Sequence, residues 1–246
     1  REVHIMAAIV APNIVTDGLV ACWDAGNRRS YPATGTTWTD VVGGNNGTLN
    51  NNSSGLTFDS SKLGCLDFDG TDDYVEIANE SNFDIATSCS IIAWVYLEGL
   101  GESNFGRIID KGSAVNSTTL DGFQFHLDTG TTFGAAVGFS TTNAWVKASN
   151  STLSEDEWVF IAMTFNEDSD NVIKLYKNGD RITSLKQDQA GVGTIDNSSV
   201  NPRIGNYAGD TTRTFDGKIA VVSFYNRALS ADEVSQNYNA TKNRFA

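Results

Sequence analysis

Histidine is nearly absent from this chain: of 246 residues, only His4 and His126 carry an imidazole. A Ser-His-Asp triad needs that base, and zinc centres draw on imidazole or thiolate ligands, so neither chemistry has much to work with. Cysteine is scarce too. Cys22, Cys65 and Cys89 sit in apolar stretches, an odd number that reads as buried free thiols, with one bridge plus one free thiol as the alternative. Cations are in deficit, since 17 Lys and Arg against 30 Asp and Glu leave a formal charge of −13. Phosphate binding needs clustered Lys and Arg, so a nucleic-acid partner is excluded. No apolar run approaches the eighteen or so residues of a membrane helix, and Ile5 to Val10 is too short for a signal-peptide core. Membrane insertion is not expected.

What is present fits an all-β protein. Forty per cent hydrophobic residues and 23 glycines, with only three prolines, suit many short strands joined by Gly, Asn, Asp, Ser and Thr turns. Alternation and apolar runs place strands at 19–23, 65–68, 74–77, 90–96, 105–110, 122–128, 135–139, 144–148, 159–165, 172–177, 181–185, 202–205 and 218–225. So many strands cannot lie in one open sheet, which predicts a two-sheet antiparallel jelly-roll sandwich. Asn178-Gly179 predicts a type I′ hairpin over 172–185, because both central residues need positive φ. Residues 45–54 and 193–201 read as long loops. Ser230 followed by Glu233 is a capping box that starts a closing helix near Ala231, with Val234, Tyr238 and Phe245 as its apolar stripe. The length suits one domain over 16–246, preceded by an N-terminal arm over 1–15.

Five segments resemble, in order, laminin-G-like domains of the concanavalin-A-like lectin/glucanase superfamily. They are Leu66 to Ile77 (LDFDGTDDYVEI), Ser90 to Val95 (SIIAWV), Glu157 to Thr164 (EWVFIAMT), Lys174 to Asp180 (KLYKNGD), and a C-terminal run. That run carries Phe215, Gly217, Tyr225-Asn226-Arg227-Ala228-Leu229-Ser230 and Glu233. The opening, Gly18 to Leu49, is similar to the variant of this domain common in phage virion proteins.

Candidate chemistry is sparse. Glycoside hydrolases of this fold need two carboxylates about 5 to 10 Å apart, often delivered by Glu-x-Asp-x-x-Glu spacing. That pattern does not occur, and Glu155-Asp156-Glu157 reads as a solvated loop. Along 122–128, Phe123, Phe125 and Leu127 point one way while Gln124, His126 and Asp128 point the other. The strand is therefore expected to have one buried and one wet face, either a ligand-binding concave face or a merely solvated one. The resemblance implies a second site on the loop rim. Calcium-binding relatives such as pentraxins place ligands where this chain has Asn116, Asp121, Asn206 and Asp210, and oxygen donors suit a hard cation. Tyr207 stands where such relatives place a carboxylate, and its ring can stack on a sugar. Ordinary Asx turns are the alternative. Asp69, Asp72 and Asp73 are expected to shape a turn.

The resemblance therefore implies a non-catalytic virion surface module, a decoration or fibre protein, that binds cell-surface carbohydrate, with calcium as the cofactor the family allows. It would be present in many copies or as a homo-oligomer, join other virion proteins through its arm, and assemble in the host cytoplasm. The alternatives are a purely structural capsid or tail protein and, less favoured, a polysaccharide hydrolase or lyase.

Overall fold

The stretch Ser90 to Val95 is apolar on both of its phases, and it lies where both faces of a strand are covered. Ile91, Ala93 and Val95 enter the core between two sheets, while Ile92 and Trp94 belong to a second apolar cluster on the far side of the same sheet. The structure is a computed structural model, and residues 12–50, 55–114 and 120–246 are described.

In chain order the first strands are β1 (Leu19–Asp24), β2 (Thr37–Trp38), β3 (Gly47–Asn50), β4 (Thr57–Asp59), β5 (Cys65–Asp69), β6 (Tyr74–Ile77), β7 (Ser88–Leu97) and β8 (Arg107–Asp110). There follow β9 (Phe123–Asp128), β10 (Thr132–Val137), β11 (Ala144–Ala148), β12 (Trp158–Asn166), β13 (Ile173–Lys177) and β14 (Asp180–Arg181). The last are β15 (Leu185–Gln189), β16 (Arg203–Ile204), β17 (Asp216–Tyr225) and the helix α1 (Ala231–Thr241). One sheet runs β14-β13-β12-β7-β17-β5-β4, with β1 also pairing with β17. The other runs β15-β11-β10-β9-β8-β16-β6-β3-β2, and the strand pairs of both sheets are antiparallel. This is the expected jelly-roll sandwich with a short C-terminal helix. No helix among the described residues is long and apolar enough to cross a membrane.

Local signals explain the edges. Asn178 and Gly179 both have positive φ, 52° and 86°, and join β13 to β14 with Lys177 opposite Asp180. A Cβ on Gly179 would also come within 3.0 Å of Tyr238, so the tight turn lets α1 approach. Ser230 Oγ accepts from the Glu233 amide at 3.2 Å and Glu233 Oε2 accepts from the Ser230 amide at 2.9 Å, closing the capping box. Cys22, Cys65 and Cys89 are free and buried, and burial raises each thiol's pKa, to about 11, about 11 and about 12.

The structure differs from the sequence reading in three ways. The hairpin's second arm does not run on to Leu185: β14 ends at Arg181, and β15 crosses to pair with β11 in the other sheet. The expected loop over 45–54 contains β3, which pairs with β6, and β2 and β4 are strands too short for periodicity to reveal. The third concerns Gln124, His126 and Asp128. They do lie opposite Phe123, Phe125 and Leu127, but that face is not wet: they are 1%, 1% and 5% exposed. β9 is an interior strand between β8 and β10, and side chains of neighbouring strands, Lys147 over Asp128 and Trp145 over His126, cover its polar face. Of the expected arm, residues 1–11 lie outside the described residues. Where it joins the body, the Val15 amide donates to Asn237 Oδ1 and Gln236 Nε2 to the Asn13 carbonyl, both on α1.

Candidate functional site

The outer face of the β9 sheet carries polar side chains in register. One transverse row reads Arg107, His126, Gly134, Lys147, Gln187, and the next reads Asp110, Gln124, Ala136, Trp145, Gln189. The rows follow from alternation: in β11, Ala144, Val146 and Ala148 fill the core, so Trp145 and Lys147 must emerge on the other side. β10 supplies only small side chains at these levels. A Cβ on Gly134 would lie 3.3 Å from His126 Nε2, and its absence lets Trp145 lean across the strand to meet His126, centroids 5.4 Å apart and planes 51° from parallel. Trp145 is partly exposed and covers a buried imidazole; Gln187 and Gln189 on the edge strand are exposed.

The buried ionic groups are closed on one another. Arg107 Nε donates to Asp110 Oδ2 at 2.9 Å, and Lys147 Nζ pairs with Asp128 Oδ1 at 2.7 Å. Gln124 Oε1 accepts from Arg107 at 3.4 Å, and its amide donates to the Ala114 carbonyl at 3.1 Å. Burial pushes the Asp110 carboxyl up to about 6, with Arg107 pulling it back, and burial lowers the Arg107 guanidinium. Burial, followed by the charges of Arg107 and Lys147, holds His126 well below the usual imidazole range, so the ring is neutral. His126 Nδ1 and Thr132 Oγ1 are buried without a hydrogen-bond partner among the described residues.

The rim residues are spent on the loops. Asn206 is fully buried; its amide donates to the Asp73 carbonyl and to Thr214 Oγ1, and its Oδ1 accepts from the amides of Tyr207 and Arg213. Tyr207 is 4% exposed, and burial with the charges of Asp110, Asp210 and Asp121 pushes its phenol up to about 12. Both Asp121 oxygens accept from Ser113, and Asp210 Oδ1 accepts from Thr212 in an Asx turn. Asp121 and Asp210 thus both act on the Tyr207 phenol, after burial and Asp110. Asn116 lies outside the described residues. Among the described residues no group of three or more His, Cys, Asp or Glu side chains is placed to hold a metal ion. In the FDGTDDY turn, Asp69 Oδ1 accepts from the Thr71 amide, and Asp73 is buried with its carboxyl raised to about 6, mainly by desolvation.

Sequence reasoning found Gln124, His126 and Asp128 but missed Arg107, Asp110, Trp145 and Lys147. The alternation of AWVKA held the signal for Trp145 and Lys147. The ion pairs are visible only in the register.

A separate cavity of about 270 Å³ lies on the opposite side of the sandwich, under α1, lined by Ile14, Ile92, Trp94, Phe160, Val221 and Arg244 among others. Its polar wall is already bonded: Arg244 donates to Asp24 Oδ1 and to the carbonyls of Lys62 and Gly64. Asn237 Nδ2 donates to the Tyr225 hydroxyl. These bonds tie the helix down.

A protein-family model for the concanavalin A-like lectin/glucanases superfamily matches residues 69–235. No curated protein matches the chain by sequence. Among solved structures, the binding domain of Paraclostridial Mosquitocidal Protein 1 is similar at 18% identity and a TM-score of 0.65, covering 91% of this chain and 52% of that one. Trypanosoma rangeli sialidase in complex with the inhibitor DANA is similar at 15% identity and a TM-score of 0.62, covering 97% of this chain and 37% of that one. This chain therefore spans about half of the first and little more than a third of the second. At these identities the likeness is one of fold.

Proposed function

We propose that this chain, which belongs to the concanavalin A-like lectin/glucanases superfamily, binds carbohydrate without cleaving it, on the sheet face around Trp145. The observation that carries this reading is a partly exposed indole set on a rigid strand, among amide side chains and above neutral His126. An aromatic ring flanked by a few placed polar groups is the common build of a sugar platform, the ring meeting the C–H face of the sugar and the polar groups its hydroxyls. The buried carboxylates of the face, Asp110 and Asp128, are each held in an ion pair, which supports a binding role over a cleaving one.

A glycan array read with a multivalent form of the chain tests this, in calcium and in chelator, since weak sites need many copies to register. Binding that disappears in Trp145→Ala, with the circular dichroism unchanged, is the expected result. An array blank in both conditions removes the reading and leaves a structural role. Release of reducing ends from any bound polysaccharide would instead make the chain an enzyme.

The setting we propose is the surface of a virus particle, on the strength of the phage-like opening segment, where many copies would multiply a weak affinity. Antibodies against the purified chain that fail to label intact particles would remove that setting.

A further inference from the structure

We propose that the ligand of the Trp145 face is an uncharged glycan, held by ring stacking and amide hydrogen bonds rather than through a carboxylate. This rests on the carbohydrate-binding reading above and narrows it.

The argument is one of charge. With a formal net charge of −13, the chain repels polyanions at long range. An acidic sugar would have to be captured locally by a cation with an open valence. The two buried cations of the face have none, because Arg107 is closed on Asp110 at 2.9 Å and Lys147 on Asp128 at 2.7 Å. To use either, a ligand carboxylate would have to displace one that is already desolvated and in place, leaving the displaced group buried without its partner. The next cation along, Arg203, is 3.5 Å from Glu76, donates to the carbonyls of Tyr207 and Asp210, and lies over the Tyr74 ring at 3.9 Å; its unpartnered Nε is buried, out of a ligand's reach. His126 adds no charge, since burial keeps its imidazole neutral.

Arg213 differs. It lies over Phe105 at 5.5 Å and donates to the Thr212 carbonyl, and no carboxylate pairs with it among the described residues. If an acidic sugar were recognised here, Arg213 or Lys186, an exposed cation on β15 that also pairs with no carboxylate among the described residues, would carry the recognition, so both serve as controls. The solvent-facing groups that continue the rows of Lys147 and Trp145 are amides. Gln187 and Gln189 follow Lys147 and Trp145 in the two rows, and Gln189 Nε2 is steadied by the Asn143 carbonyl at 3.0 Å.

The chain, biotinylated and displayed on streptavidin, is tested by biolayer interferometry against laminarin, mannan and galactan as neutral probes. Polysialic acid, alginate and polygalacturonate serve as acidic probes. Each is run at about 50 and about 500 mM NaCl, which brackets strong and weak screening. The expected result is binding to a neutral probe that changes less than about twofold with salt, as a contact without ion pairing should. Trp145→Ala lowers it about tenfold or more, Trp145→Phe retains part of it, and Arg213→Ala and Lys186→Ala leave it unchanged. Binding confined to acidic probes, or lost in high salt and in Arg213→Ala or Lys186→Ala, overturns the proposal while keeping the carbohydrate-binding reading. Failure of every probe, neutral and acidic, overturns both.

Discussion

Phe245 stacks on Trp94 with ring centroids 4.1 Å apart and planes 16° from parallel, so the second-last residue of the chain is packed against the middle of a central strand. Trp158 lies 5.0 Å from Phe245 and Tyr238 lies 5.9 Å from Trp94, completing an aromatic cluster beneath α1. Phe245→Ala is expected to cost about 3 kcal/mol, the low end for truncating a buried aromatic. Urea denaturation followed by tryptophan fluorescence measures it; a cost under about 1 kcal/mol would mean that the C-terminal segment contributes little to stability.

The Arg107 and Asp110 pair predicts an asymmetry. Arg107→Ala leaves a buried carboxylate without its cation and should cost about 3–5 kcal/mol at neutral pH. Adding Asp110→Asn should recover part of that loss. The deficit of the single variant should also shrink on acidification below pH 7, as Asp110 takes up a proton. Equilibrium denaturation of both variants at pH 7 and pH 5 tests both statements.

Asp73 sets a pH dependence of its own. Its folded pKa, about 6, lies above the unfolded value, so the folded state binds the extra proton between the two. Stability from this group therefore rises as pH falls through 6, and the charged form is a burden at pH 7. Asp73→Asn should raise the melting temperature at pH 7 and lose that advantage toward pH 4. A constant difference across the range would show that Asp73 does not titrate as stated.

At the start of α1 the sign is reversed. Glu233 has its carboxyl lowered to about 2, first by the hydrogen bond from Arg227 and then by the Ser230 backbone amide. Its contribution is present above the ordinary carboxylate range and fades as pH falls toward 2. Ser230→Ala, which removes the other half of the box, should cost about 1 kcal/mol by thermal or chemical melting.

Much of the fold was legible because its signals are local. Asn178-Gly179 and Ser230 to Glu233 state their geometry in two and four residues, and the two-phase apolar runs of β7 and β17 announce strands covered on both sides. The path of the chain after Arg181 was not, since leaving one sheet for the other is a tertiary choice that changes no local pattern. The candidate face divides the same way. Alternation put Gln124, His126 and Asp128 on the side opposite the core, but their burial comes from partners far along the chain, Lys147 for Asp128 and Trp145 for His126. A polar phase in a strand reports which side a residue faces; it does not report what lies above it.

β17 pairs with β1, β5 and β7, yet it follows all three along the chain. A nascent chain leaving the ribosome therefore holds the two margins of one sheet with nothing to join them until residues beyond 216 emerge. A version stopped short of that segment would present unsealed edges to every neighbour in the cell.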